Sequence, residues 1–421
     1  MRARGLRRAL AAILLAAASV VLVAQPAAAD EIRDRQYWLA DYGIREAWQT
    51  TRGAGVTVAV IDTGIDGSHP DLVGAVVGGT DASGVGSPDG QTPVGDDSSH
   101  GTLVASVLAG RGSGPSGTDG VIGVAPEASL LSVSVGFGGA GTRSSDDQIA
   151  EAVRWAVDNG ADVINMSLTR NTLEWPESWD DAFLYAMTND VVVVAAAGNR
   201  GTGTTVVGAP ATMPGVVTVA GVDQQRRASE GASSQGITIS VAAPAERLVG
   251  AGPGDQYFEW EGSSGAAPIV SGLVALIRSA YPELDAANVI NRLIATATPV
   301  GTPVPSPLYG YGLIDARAAV TASVGQVTAN PMGDLGEWIR VNRRADVAPS
   351  AEPVPAPTTQ PAPQAPDTRA SENPNPLEVV LPTLSSLRDV GIPLAVYVMF
   401  ASLIVAGITM WRRQVRRAIV G

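Results

Sequence analysis

The chain of 421 residues has no cysteine and no lysine, and only two histidines, His69 and His100. Without cysteine there is no disulfide, no thiolate metal site and no cysteine nucleophile. Two histidines exclude a histidine-rich metal centre. Aromatic residues are 5% of the chain, so a large core has to be built from Ala, Val, Ile and Leu. Positive charge is also scarce: 28 Arg stand against 41 acidic residues, for a formal net charge of −13. Four Arg lie in residues 1–29 and four in 390–421, both stretches free of acids, which leaves −21 on residues 30–389. Such a body repels a phosphate backbone, and a role on nucleic acid is excluded from the reading. The chemistry left open is that of Ser, Asp, Asn and one of two histidines.

What is present begins with the two basic ends. Arg2, Arg4, Arg7 and Arg8 precede an apolar run, Ala9–Val23, and a small-residue site, Ala27-Ala28-Ala29. A run of about 15 residues is short for a membrane span, and the pattern is that of a secretory signal over 1–29, with an uncleaved anchor as the alternative. Ile392–Trp411 is uncharged over 20 residues and is followed by Arg412, Arg413, Arg416 and Arg417. At about 1.5 Å per residue it matches a hydrocarbon core of ~30 Å. The basic tail, 412–421, then belongs in the cytoplasm and the body outside, in a single-pass cell-membrane protein. Nine prolines between Pro349 and Pro376 favour extended polyproline II and mark residues 325–391 as a linker. Residues 30–52 form a short N-terminal extension, too short for a folding-template pro-domain.

Between about 53 and 324 the pattern alternates. Val56–Ile61, Ser129–Val135, Asp162–Leu168, Val191–Ala197, Val216–Val222 and Ile237–Ala242 are short, strand-like runs. Ser145–Asn159, Ser264–Tyr281 and Asp285–Thr296 carry helical spacing, the first with Ser144 or Ser145 as N-cap. Apolar strands joined by helices predict an α/β fold of three layers around a mostly parallel sheet. Ligands in such sheets bind beyond the carboxyl ends of the strands.

Polar residues gather at those ends. Asp62 closes the first strand; His100 opens an apolar stretch in Ser99-His100-Gly101-Thr102; Asn199 follows the Val191–Ala197 strand; Ser264 opens a helix in Gly262-Ser263-Ser264-Gly265. A serine hydroxyl is a weak nucleophile until an imidazole takes its proton. A carboxylate holds that imidazole in the right tautomer. An Asn amide and the serine backbone N–H suit a developing oxyanion. Taken singly, each of these residues is more simply a cap or turn former. His69, in the polar turn Gly67-Ser68-His69-Pro70-Asp71, reads as a surface residue, which leaves His100 as the base.

The order Asp, His, Ser is that of subtilisin, and the body resembles the subtilisin-like serine proteases. Asp62-Thr63-Gly64-Ile65-Asp66, His100-Gly101-Thr102, Ala195-Ala196-Ala197-Gly198-Asn199, Gly262–Pro268 and Tyr311–Asp315 carry the resemblance over about 270 residues. It implies a subtilisin-like serine endopeptidase with Asp62, His100 and Ser264 catalytic, Asn199 in the oxyanion hole, and peptide substrate added as a strand along Ser167, Leu168 and Thr169. Ala197 and Gly198 would line the first pocket. Ser263 stands where the family has Thr and keeps the hydroxyl; Leu103 replaces a frequent His; Thr169 replaces a common Gly. Arg200, where an acidic or neutral residue is usual, would disfavour a basic side chain before the cut. No cofactor is implied and no metal ligand is assigned, although calcium, common in the family, finds candidate oxygens on Asp81, Asp89, Asp96 and Asp97. The layout of signal, protease body, Pro-rich linker, anchor and basic tail is similar to that of the mycosins of type VII secretion systems, which implies secretion-complex subunits as partners. The alternative function is structural: a secretion-complex subunit whose protease fold serves mainly for docking.

Overall fold

The computed structural model describes residues 31–343. The expected signal (1–29), membrane span (392–411), basic tail (412–421) and the linker beyond 343 lie outside the described residues.

Seven strands form one parallel sheet: β1 Thr57–Asp62, β2 Val76–Asp81, β5 Ser129–Ser134, β6 Val163–Met166, β7 Val192–Ala196, β8 Val217–Val222 and β9 Ile239–Pro244, in the order β2-β5-β1-β6-β7-β8-β9. Two hairpins lie apart from it, β3 Arg111–Ser113 with β4 Asp119–Ile122, and β10 Leu248–Gly252 with β11 Gln256–Trp260. The longer helices are α1 His100–Ala109, α2 Ser145–Asp158, α3 Glu177–Thr188, α4 Ser263–Ala280 and α5 Ala286–Ala295, with α6 Ala316–Thr321 and α7 Leu335–Asn342 near the end. Every residue of β6, β7, β8 and β9 is buried, as covered parallel sheets require. Helix α1 packs with α4, and α2 with α3, giving a helical layer on either side. Helix α4 is long and apolar enough to cross a membrane, but 83% of it is buried, and it is the core helix of the body.

Chain order reverses at β1, which lies between β5 and β6. Asp62 is the last residue of β1, and so stands where open parallel sheets place their ligands. Ser144 is the N-cap of α2, accepting the Asp147 N–H. The edge strand β2, Val-Val-Gly-Gly-Thr-Asp, was not among the expected strands; its two glycines hide the pattern. Gly79 is required there, because a Cβ would lie 2.1 Å from the Asp89 carbonyl oxygen.

Two segments flanking residues 53–324 pack onto the body. The extension over 30–52 is integral to the body: Trp38, Leu39, Ile44 and Ala47 are fully buried in the main core. At about 1.5–3 kcal/mol for each large apolar side chain buried, this segment contributes materially to stability. Residues 325–343, expected in the linker, are folded. Asp334 caps α7 by accepting the Glu337 N–H, Leu335 is buried, and Trp338 lies 4.4 Å, centroid to centroid, from Trp175. Arg343 pairs with Asp180 at 2.9 Å and donates to the Trp175 carbonyl. Pro331 and Met332 form a turn just before α7.

Candidate active site

The carboxyl edge of the sheet gathers the expected residues on separate elements. Asp62 is 1% exposed. Its Oδ1 accepts the Thr63 N–H at 2.8 Å, and both carboxylate oxygens face His100 Nδ1, at 2.8 and 3.0 Å. His100 is the first residue of α1, held by its N–H to the Asp97 carbonyl and by the Gly101 N–H to Thr63 Oγ1. Its side chain is 19% exposed. Burial is the largest influence on the ring and favours the neutral form, but the Asp62 charge, the Asp62 hydrogen bond and the more distant Asp97 together outweigh it and raise the pKa above the ordinary value. The ring of Trp260, on β11, meets the imidazole edge to face with centroids 5.9 Å apart.

Ser264 is the second residue of α4 and 8% exposed. Among the described residues its hydroxyl makes no hydrogen bond, so the Asp–His pair is formed and the Ser–His contact is not. In unliganded sites such contacts commonly tighten only once substrate is bound. Asn199, three residues past β7, is oriented by its neighbours. Its Oδ1 accepts from the Ser263 N–H at 2.8 Å and from Ser263 Oγ at 2.9 Å. That fixes which face of the amide is turned inward and leaves Nδ2 free. A Cβ on Gly262, whose φ is +140°, would lie 2.9 Å from both Asn199 Nδ2 and Ser264 Oγ. The free amide donor and the hydroxyl therefore converge on one small volume that only glycine leaves open. The hydroxyl kept at Ser263 has a function in this arrangement: it also accepts the Gly198 N–H at 3.0 Å and so ties the Asn199 turn to the start of α4.

The remaining residues divide. Ala197 is fully buried and continues toward β8 through its N–H to the Val219 carbonyl. The Ser167 hydroxyl points behind the serine and donates to the Ser264 carbonyl at 2.8 Å. Leu168 is partly buried against the core, and Thr169 Oγ1 donates to the Arg170 carbonyl at 3.0 Å. The Arg200 guanidinium bonds the carbonyls of Ser233 and Ser229 at 2.9 and 3.0 Å. It clamps a neighbouring loop, so any aversion to basic substrates rests on its charge alone.

His69 is not a surface residue. It is 0% exposed. Its Nδ1 accepts the Asp71 N–H at 3.1 Å, its Nε2 has no partner, and Tyr257 of the β10–β11 hairpin covers it edge to face at 5.2 Å. The covering hairpin is remote in sequence, which is why the local polar turn misled. Of the calcium candidates, Asp81 accepts from Ser83, Ser134 and the Gly86 N–H, and Asp89 accepts from Ser87 and Gln91. No metal-binding group of three or more acidic or histidine side chains is found among the described residues. A cavity of about 600 Å³, lined by Met213, Ile239, Tyr311, Met332 and Trp338 among others, includes none of Asp62, His100, Asn199 and Ser264. Sequence reasoning missed Asn165 and Ser271, buried polar residues beneath Ser264. The signal available was Pro268, four residues after Ser264.

The subtilase family model matches residues 53–312. Subtilisin DY of Bacillus licheniformis is 41% identical over 277 residues, covering 64% of this chain and 93% of its own. The crystal structure of MycP1 from Mycobacterium smegmatis is 30% identical, with a TM-score of 0.59 over 72% of this chain and 88% of that one. A second structure, of a serine protease MycP1 described as an essential component of the type VII (ESX-1) secretion system, is 33% identical with a TM-score of 0.58, covering 70% and 90%. The chain thus belongs to the subtilase family and is a subtilisin-like serine endopeptidase.

Proposed function

We propose that Asp62, His100 and Ser264 are the catalytic triad of an exported, membrane-anchored endopeptidase. The carrying observation is the Asp62–His100 pair together with the convergence of Ser264 Oγ and Asn199 Nδ2 beside Gly262. Asp62 accepts a hydrogen bond from Nδ1–H, which leaves Nε2 as the base. The imidazole takes the Ser264 proton as Oγ attacks the peptide carbonyl, and Asp62 stabilises the imidazolium. Asn199 Nδ2 and the Ser264 backbone N–H donate to the oxyanion. The imidazolium then gives its proton to the leaving amine, and water releases the acyl group by the same route. Substrate backbone pairs with Ser167–Thr169, while Ala197 and Gly198 border the pocket for the side chain before the cut. No cofactor takes part.

The same proposal assigns residues 1–29 to export, 392–411 to a membrane anchor with the tail in the cytoplasm, and the protease to the outer side. Likeness to MycP1 supports a place beside a type VII secretion complex. Labelling with a fluorophosphonate tests the active site: the adduct should form on Ser264 and vanish in Ser264→Ala. Labelling that persists in that variant would overturn the triad. In cells, a Ser264→Ala form that restores secretion and processing to a deletion strain would favour the docking role instead.

A further inference from the structure

Beneath Ser264 runs a buried chain of polar side chains that peptide chemistry does not itself use. An α-helical carbonyl is normally satisfied by the N–H four residues on. For Ser264 that residue is Pro268, inside α4, which has no N–H. Ser167 Oγ takes the vacant place, donating to the Ser264 carbonyl at 2.8 Å. A carbonyl can only accept, so the direction of the whole chain follows. Ser167 Oγ, having donated its proton, accepts from Asn165 Nδ2 at 3.0 Å. Asn165 Oδ1 is thereby turned to Ser271 Oγ, which donates at 2.8 Å. Asn165 lies in β6, paired with β1 and β7, and Ser271 lies two turns along α4 from Ser264, its second residue. Asn165 and Ser271 are fully buried, so water does not replace a lost partner, and bonds aligned in one direction polarise and strengthen one another.

We propose that Asn165 and Ser271 are positioning residues for Ser264: through Ser167 they supply the hydrogen bond that Pro268 denies the Ser264 carbonyl, and so hold the hydroxyl and the oxyanion-binding N–H of Ser264 at one height against the cleft. This rests on Ser264 being the nucleophile. Neither residue touches substrate. Ser271→Ala removes one hydroxyl from a helix without adding bulk, and strands the Asn165 carbonyl and with it the register of the chain.

The test compares the full-length wild type, Ser271→Ala and Ser271→Thr in peptide hydrolysis and in the rate of fluorophosphonate labelling. Ser271→Ala should lower kcat about five- to tenfold with KM little changed, and slow labelling by the same factor. Ser271→Thr, which keeps the hydroxyl, should restore both. A role confined to stability would lower the melting temperature and leave kcat and labelling rate at the wild-type level, which overturns the proposal. So would a change in KM alone, or a Thr variant as slow as the Ala variant. A wild-type enzyme that does not label at Ser264 would instead overturn the nucleophile assignment on which the proposal stands.

Discussion

The molecule holds two histidines in opposite settings. His100 stands at the mouth of the sheet with a carboxylate on Nδ1 and its other nitrogen turned from that bond. His69 is sealed under the β10–β11 hairpin, with a backbone N–H on Nδ1 and an aromatic edge against the ring. Burial is deeper at His69, yet the equipment for proton transfer is at His100. The difference lies in the partner: a backbone donor fixes a ring as a packing element, whereas a carboxylate partner fixes the tautomer that leaves Nε2 as a base and stabilises the cation when it forms.

The strongest way to break this comparison is to delete each ring. His100→Ala should cut kcat by about 10⁶-fold, the scale for loss of a triad member that acts with the nucleophile. His69→Ala should leave kcat within about threefold while lowering unfolding free energy by about 2–4 kcal/mol, as a buried side chain leaves a cavity. Urea unfolding and peptide hydrolysis on the same samples separate the two. A folded His69→Ala protein without activity would erase the distinction. Next in size is Asp62→Asn, which keeps the shape of the pair and loses the tautomer, for a fall in kcat of about 10⁴-fold. Asn199→Ala should lower kcat about 10²–10³-fold with little change in KM; a loss expressed in KM alone would move Asn199 from oxyanion donor to substrate wall.

The contrast also marks what could be read before the fold was known. Asp62, His100, Asn199 and Ser264 could be placed at one edge of the sheet because each closes a strand, follows one closely or opens a helix. The strands β5, β8 and the α2 cap followed from local pattern. His69 was misplaced because its cover, Tyr257, is distant in sequence. Helix α7 was missed for the same reason: Trp338 stacks on Trp175, a partner that no local window contains. Asn165 looked like one polar residue in an apolar strand, and only Ser271 and Ser167 give it a purpose. Long-range polar pairing is invisible to periodicity, whereas chain ends of regular elements are not.

The smallest effect tests the electrostatics that set His100 apart. Its pKa is raised although burial, the largest single influence, lowers it; the Asp62 charge and hydrogen bond and then the Asp97 charge tip the balance. The working base is the neutral ring, so kcat/KM should fall as pH drops through this raised value, with the acid limb above the ordinary imidazole value of about 6.5. Asp97 is exposed, so its share is screened by salt while that of buried Asp62 is not. Asp97→Asn should therefore move the acid limb toward lower pH, and the gap between variant and wild type should close in about 1 M salt, where the screening length is about 3 Å. A gap that survives high salt would mean that Asp97 acts through the local structure of its loop and not through its charge; a wild-type limb below the ordinary value would mean that burial governs the His100 ring.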